Sequence, residues 1–369
     1  MVEPKCPYFG KCGGCSSQHI DYSLQVENKK KQLVGLIGSD DVAVFSGEPY
    51  GYRNRMDFVF HDRGVGFRKK GDWKTIIDIK DCPIANARVN SLLGEVREAF
   101  SSPDSFDVRK KKGTFRYAVI RAPSGGASIS FVLNSDSSRI GEAVELIKSF
   151  AEKSSAENVV VTYVKPDTDT SISDDYFVVK GDDTLRESYL GNEFMFPVQG
   201  FFQNNHAVAS LMHKHVRKVL SGHDTKDAHL LDVYAGVGTF GINNASLFSS
   251  VHIVEGYEKS IDFAKKNIEV NKVGGASAVA LDDKQLSRLD LPSQLFVITD
   301  PPRSGMNPKA IQQINRLEPE VIVYISCNPA QLGKDLSKFR HHSLKSAALF
   351  DMFPQTPHCE AVVELVKKG

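Results

Sequence analysis

"HLLDVYAGVGTFG", residues 229–241, runs from an apolar stretch into glycines at 236, 238 and 241. Such a run predicts a buried strand that opens through a tight turn into a helix, because glycine lets the backbone fold back sharply and lets the next helix approach the sheet. Short apolar, β-branched strands recur after it: "SVHIVEGY", "ASAVALDD", "QLFVITDPP", "VIVYISCNP", "SAALFDMF" and "AVVELVK". Helical stretches alternate with them from Gly191 onward, which predicts a mostly parallel sheet covered by helices on both faces. Residues 191–369 therefore read as a doubly wound α/β domain. In such sheets ligands bind beyond the carboxyl ends of the strands, so the residues at those ends are the candidates for function.

The rest of the chain has a different texture. Residues 1–38 begin with the Cys/Gly-rich "CPYFGKCGGC" and pass into "LQVENKKKQLVGLIG", whose apolar spacing predicts a helix ended by Gly38. Residues 39–190 carry the strand-like runs "MDFVFHDRGVGF", "TIIDIKDCPI", "YAVIRAP" and "ASISFVLNS", followed by one helix around "GEAVELIKSFAEK". The 369 residues carry a formal net charge of only +1. A nucleic-acid partner would therefore need a local positive field, for which Lys29 to Lys31, Arg68 to Lys70 and Arg109 to Lys112 are the candidates.

No apolar run reaches the length of a membrane span and the first residues lack the features of a signal peptide, so a cytoplasmic protein without a membrane partner is expected. In that reducing compartment six cysteines are not read as disulfides. Cys6, Cys12 and Cys15 form C-x5-C-x2-C, and Cys82 precedes a proline. Together they read as a four-thiolate metal site open to zinc or iron.

Glu255 ends the second strand about twenty residues beyond the glycine turn, where a carboxylate can accept hydrogen bonds from both ribose hydroxyls of an adenosine. The turn has no GxxxxGK[ST] phosphate cradle, which suits a nucleoside cofactor without phosphate, such as S-adenosylmethionine. The fourth strand ends in "DPPRSG", residues 300–305, which resembles the [DN]PP motif of methyltransferases but has Arg303 where amino-methylating enzymes carry an aromatic residue. The fifth strand ends at Cys327, and "DMFPQTPHCE" places Glu360 just before the last strand.

A thiol and a carboxylate at such positions suit methylation of a ring carbon. C5 of uracil is too weak a nucleophile to displace a sulfonium methyl unaided; a thiolate adding at C6 raises its electron density. After C5 has attacked the methyl group, a carboxylate can remove the C5 proton as the thiolate departs. Cys327 and Glu360 suit these two roles, with a lowered thiol pKa or a nearby proton acceptor expected at Cys327.

The motifs "CPYFGKCGGC", "GYRNR", "GFRKKG", "DIKDCPI", "GFFQNN", "DVYAGVG", "IVEG", "DPPRSG", "SCNP" and "DMFPQTPHCE", spread over nearly the whole chain, resemble those of the uracil-C5 RNA methyltransferases. That resemblance implies a C-terminal Rossmann-like class I methyltransferase domain, an N-terminal metal-cluster segment and a strand-rich central RNA-binding domain. It implies S-adenosylmethionine held by Gln203, Tyr234, Thr239, Glu255 and Asp300, Cys327 as nucleophile, Glu360 as base, and a 4Fe-4S cluster on Cys6, Cys12, Cys15 and Cys82. The RNA would be 23S rRNA or tRNA, with rRNA placed ahead, and the enzyme a monomer. Family members often carry a small β-barrel RNA-binding module before the cluster; none is expected here, since Cys6 follows the start at once. The grip on RNA is then expected from the central domain, including Arg53, Arg55 and Arg68, with Phe201, Phe202, Tyr234 or Phe353 stacking on the target base or on adenine. Two rivals remain: a cytosine-C5 methyltransferase, which would carry a second cysteine near "DPPRSG", and a non-catalytic RNA-binding assembly factor that keeps the fold.

Overall fold

The computed structural model describes residues 2–369, which divide into two compact units. Both are assembled from separated stretches, so the units cut across the expected boundaries at 38/39 and 190/191. The first comprises the residues up to Tyr22, Glu48–Arg186 and Pro197–His206; the second comprises Ser23–Gly47, Glu187–Phe196 and Ala207–Gly369. No helix among the described residues is long and apolar enough to cross a membrane.

The first unit is built on a seven-stranded sheet in the order Asp72–Asp78, Gly64–Lys69, Arg55–His61, Phe115–Arg121, Ser128–Asn134, Asn158–Val164, Tyr176–Lys180. Its strands pair antiparallel except Ser128–Asn134 with Asn158–Val164, which the helix Ile140–Lys153 connects, as a parallel pair requires a crossover. Burial alternates along Arg55–His61, so one face carries Met56, Phe58 and Phe60 into a core where Phe60, Phe100, Phe115, Phe131 and Phe150 pack ring against ring. The cysteine-rich segment is stapled to the sheet by Gly13 N–H donating to the Arg68 carbonyl (3.0 Å) and Lys70 N–H to that of Lys11 (2.8 Å). Buried Arg121 donates to the carbonyls of Val198 (2.8 Å) and Gly200 (2.7 Å), which fixes the segment leading to "FFQNN".

The second unit holds an eight-stranded sheet in the order Val42–Phe45, His342–Phe350, Glu360–Lys367, Val321–Ser326, Leu295–Thr299, His229–Val233, Ser250–Glu255, Ala276–Ala280. All neighbours are parallel except Glu360–Lys367, which runs antiparallel to both its partners. The chain order turns back on either side of His229–Val233, which makes the carboxyl ends of His229–Val233 and Leu295–Thr299 a topological switch point. The strands read from the sequence are those observed; the added edge strand Val42–Phe45, which the sequence had grouped with the central domain, pairs with His342–Phe350.

The helix Tyr22–Ile37 forms as expected, closed by Gly38 in the left-handed region (φ 69°) with its N–H on the Val34 carbonyl. Its buried stripe is Gln25, Lys29 and Leu33, the four-residue spacing that lines one helix face. Lys29 is therefore no part of an exposed basic run: it is 4 % exposed and its Nζ lies 2.6 Å from Oδ1 of the fully buried Asp351 and 3.2 Å from the Phe353 carbonyl. Gln25 and Gln355 exchange two hydrogen bonds of 3.1 Å, Gln25 Nε2 to Gln355 Oε1 and Gln355 N–H to Gln25 Oε1. A helix far away in sequence thus clamps the loop that leads to Glu360.

Removing one partner of a buried ion pair leaves the other charge uncompensated, at a cost of about 3–5 kcal/mol. Lys29→Met should lower unfolding stability by about that much in chemical denaturation, and Lys29→Met/Asp351→Leu should recover most of the loss. A single variant as stable as the native chain would contradict the clamp.

Candidate active site

The strand His229–Val233 ends in a turn with Tyr234 (φ 60°), Gly236 (φ 55°) and Gly238 (φ 84°) in the left-handed region. A non-glycine residue at positive φ is strained backbone, common at functional sites. Gly241 sits where a Cβ would come within 3.0 Å of both Asp232 Oδ2 and Ile253 Cγ1, so the following helix, Thr239–Asn244, meets the sheet at van der Waals distance. Asp232 is fully buried and accepts from Gly241 N–H (2.7 Å). Burial, with lesser help from Asp300 and Glu255, pushes its carboxyl up to about 8 against the lowering by that hydrogen bond.

Beside this turn lies a cavity of about 170 Å³ with Val233, Val254 and Leu281 as apolar walls and Tyr234, Glu255 and Asp282 as polar ones. Glu255 accepts from Gly236 N–H (3.1 Å) and Tyr257 N–H (3.0 Å), leaving each oxygen a further lone pair for a ligand hydroxyl. Tyr234 Oη donates to Asp283 and accepts from Asn307 N–H (3.3 Å). Asp282 and Asp283 were not singled out from the sequence, although they follow the third strand, Ala276–Ala280, where the strand-end rule pointed. Thr239 opens its helix half-buried and is not among the residues lining this cavity.

Cys327 follows the strand Val321–Ser326 and Glu360 begins the strand Glu360–Lys367. The antiparallel register pairs Ser326 with Ala361, so one more step sets Cys327 level with Glu360. Glu360 acts electrostatically on Cys327, and Asp300 and Arg303 act on both. Burial, then the charges of Glu360 and Asp300, push the Cys327 thiol up to about 11, against a lowering by Arg303. Burial foremost and Asp300 second hold the Glu360 carboxyl well above the usual range, Arg303 again opposing. Burial also pushes Asp300 up to about 7. Of the two alternatives expected at Cys327, a lowered thiol pKa is not found, because two acidic neighbours and a desolvated setting outweigh one exposed guanidinium, while those neighbours, Glu360 and Asp300, are carboxyl groups that can accept a proton.

The loops carrying these groups are tied together. Asn328 caps the helix Pro329–Leu336 and donates from Nδ2 to the Arg303 carbonyl (2.9 Å). Fully buried Asp335 accepts from Met306 N–H (3.1 Å), Tyr324 Oη (2.8 Å) and Lys338 Nζ (2.7 Å). Gly305, at φ 79°, leaves the room this needs, since a Cβ there would fall 2.4 Å from Asp335 Oδ2.

In the first unit, Cys6, Cys12, Cys15 and Cys82 all line one cavity of about 440 Å³, with Arg53, Phe67 and Phe202 among its other walls. Burial raises each thiol above its ordinary value, that of Cys82 up to about 12, and neighbouring cysteines add to the rise at Cys12, Cys15 and Cys82. No group of three or more His, Cys, Asp or Glu side chains among the described residues is drawn together as a metal site. Gln203 belongs to this unit, its carbonyl accepting from Asn54 Nδ2 (3.4 Å). Two expected RNA contacts are engaged within the unit: Arg55 forks onto Asp57 (3.0 and 3.1 Å), and Arg68 donates to Asp169 (2.8 Å) and Tyr117 Oη (2.9 Å). Phe201 is 71 % exposed, whereas Phe202 is buried.

A thiol near 11 leaves only about one part in a thousand ionised at pH 8. Cys327 alkylation by iodoacetamide, followed on its own peptide by mass spectrometry, should therefore be slow at pH 8 and rise steeply toward pH 11. Glu360→Gln should move that profile to lower pH, because it removes a negative charge, and Arg303→Ala should move it higher. Identical profiles in all three proteins would contradict the coupling.

Residues 21–368 match the tRNA (Uracil-5-)-methyltransferase family. The chain is 33% identical to a Pyrococcus horikoshii tRNA (uracil(54)-C(5))-methyltransferase over 99% of its own length and 86% of that protein's, and 32% identical to the Pyrococcus abyssi protein of the same name, with the same coverage. The crystal structure of Pyrococcus abyssi tRNA (uracil-54, C5)-methyltransferase in complex with S-adenosyl-L-homocysteine superposes with a TM-score of 0.80 at 29% identity, covering 99% of this chain and 88% of that one. With the doubly wound sheet, the strand-end residues and a family match that spans almost every residue, the chain belongs to the tRNA (uracil-5-)-methyltransferase family and is an RNA (uracil-C5-)-methyltransferase.

Proposed function

We propose that this chain forms 5-methyluridine at position 54 of tRNA, with Cys327 as nucleophile and Glu360 as base. The observation that carries the chemistry is the register that sets Cys327 level with Glu360 at the carboxyl edge of the sheet, where Asp300 and Arg303 act on both. The names of the Pyrococcus relatives favour tRNA over the rRNA that the sequence had put ahead. A cytosine-C5 enzyme fits less well, as the "DPPRSG" turn offers no second thiol.

The cavity beside Tyr234 suits an adenosine: apolar walls for the base, and Glu255 with open lone pairs for ribose hydroxyls. Bound there, S-adenosylmethionine supplies an electrophilic methyl and one positive charge. Asp300 would face that charge, with Tyr234 and Glu255 on the nucleoside; Thr239 and Gln203 are assigned to the same cofactor from the family motifs alone. A cation held by Asp300 lowers both the Cys327 thiol and the Glu360 carboxyl toward their working forms. Cys327 Sγ then bonds to uracil C6 and leaves C5 carrying the electron pair that takes the methyl. Glu360 accepts the C5 proton, the electrons of that C–H bond restore the C5–C6 double bond, and Sγ leaves C6.

The four cysteines of the first unit border one cavity and by donor type suit zinc or an iron-sulfur cluster alike; the family resemblance favours the cluster. There Cys6, Cys12, Cys15 and Cys82 would hold a 4Fe-4S cluster whose contribution is to fix the surrounding loops. Their raised thiol pKa values mean that binding must displace protons. On this reading a monomer in the cytoplasm suffices: the second unit carries the chemistry and the first holds RNA.

The test uses a tRNA transcript with 5-fluorouridine at position 54, whose C5 fluorine blocks the proton removal assigned to Glu360. With S-adenosylmethionine, native protein should form a denaturant-stable adduct with this RNA, and Cys327→Ala should form none. On ordinary uridine, Glu360→Gln should lose about 10²- to 10⁴-fold in kcat. No adduct from folded native protein would move the assembly-factor reading ahead.

A further inference from the structure

The hairpin of Gly64–Lys69 and Asp72–Asp78 turns at Lys70 and Gly71, and carries at its tip the chain's only tryptophan, Trp73, which is 54 % exposed. Arg68 is built against it: its guanidinium carbon lies 5.7 Å from the Trp73 ring centroid, and the same group donates to the Trp73 carbonyl (2.8 Å), Tyr117 Oη and Asp169. Lys74 Nζ reaches within 5.4 Å of the ring. Beneath the tip lies a cavity of about 670 Å³, walled by Phe67, Tyr117, Arg68, Lys69, Lys70 and Trp73, well within the size range of small-ligand sites.

The charge around this cavity departs from the chain's net +1. Lys69, Lys70 and Lys74 are exposed beside it. Asp72, at the same turn, is held low by Thr75 Oγ1 (2.6 Å) and Lys74 N–H (3.2 Å), then by the positive charges of Lys69 and Arg109. Lys69 and Lys70 line the cavity itself, and Lys74 stands over the indole ring. The acids at this cavity are Asp57 and Asp72 in its wall and Asp169, which is paired with Arg68. A half-exposed indole buttressed by a fixed guanidinium, beside a cavity with lysines at its rim, matches a nucleotide: π-face against the ring, phosphates on the lysines.

We propose that Trp73 is a stacking platform for an unpaired base of the RNA substrate, with Lys69, Lys70 and Lys74 holding the flanking phosphates. It is an RNA subsite of the first unit, and it rests on the proposal that the substrate is RNA. Arg68, read from the sequence as a phosphate contact, instead locks the platform.

Because Trp73 is the only tryptophan, the emission of the full chain reports this site alone. Titration with the octanucleotide rA8 should quench it, while heparin, a polyanion without bases, should leave it nearly unchanged. Trp73→Leu should raise KM for a tRNA transcript by about 5- to 150-fold, as expected for one lost base stack, with kcat within about twofold. Trp73→Phe should restore most of the KM. Lys69→Ala/Lys70→Ala should flatten the salt dependence of binding, which Trp73→Leu leaves unaltered. The proposal fails if heparin quenches as rA8 does, if polyglutamate quenches and rA8 does not, which would mark an acidic protein partner, or if Trp73→Leu keeps the native KM. The 5-fluorouridine adduct separates the two proposals: native protein that forms it while Trp73→Leu has an unchanged KM overturns only the platform, whereas rA8 quenching without any adduct overturns only the catalytic reading.

Discussion

One strand running against its neighbours organises the catalytic side of this protein. In a parallel sheet every strand delivers its last residue to the ligand edge, and its first residue to the far side. Glu360–Lys367 is inserted antiparallel between His342–Phe350 and Val321–Ser326, so its first residue, Glu360, arrives at the edge where Val321–Ser326 hands over to Cys327. The loop that makes this reversal, residues 351–359, must reach the edge in a fixed shape. The helix Tyr22–Ile37 supplies that shape through Lys29 on Asp351 and Gln25 on Gln355, with Gln355 itself in the left-handed region (φ 68°).

The same crowding sets the resting state of the site. Three acidic groups, Asp300, Cys327 and Glu360, share a desolvated corner with one exposed guanidinium, and burial raises all three. Adjacent like charges in low dielectric cannot all form, so the thiol is held protonated until a positive charge arrives. On the proposed mechanism the thiol would ionise only beside a bound sulfonium, and would resist alkylation and oxidation before one binds.

Much of this was legible in the chain. The strand-end rule pointed to Glu255, Asp300 and Cys327, and the structure does set them at strand ends, because a glycine turn, a Pro-Pro turn and an Asn-Pro helix cap each leave a local signature; Glu360 opens the last strand as read. Local signals could not reveal what depends on tertiary context. Lys29 reads as one of three consecutive lysines, and only the stripe Gln25, Lys29, Leu33 turns it inward. Arg55 and Arg68 read as free cations, yet Asp57 and Asp169 take them up. Local reading could not choose between a lowered thiol pKa and a nearby proton acceptor at Cys327 for the same reason: the acidic groups around it lie 27 residues before and 33 after, and their sum is a property of the folded site. Val42–Phe45 is too short for its pattern alone to assign it to the second sheet.

The most direct measurement of the central claim is the nucleoside product. Unmodified tRNA and rRNA transcripts would each be incubated with the protein and methyl-deuterated S-adenosylmethionine, digested, and mapped by mass spectrometry. Labelled 5-methyluridine at position 54 of the tRNA, lost in Cys327→Ser, is the expected result. Label on a cytidine, at another tRNA position or only in rRNA would contradict the assignment.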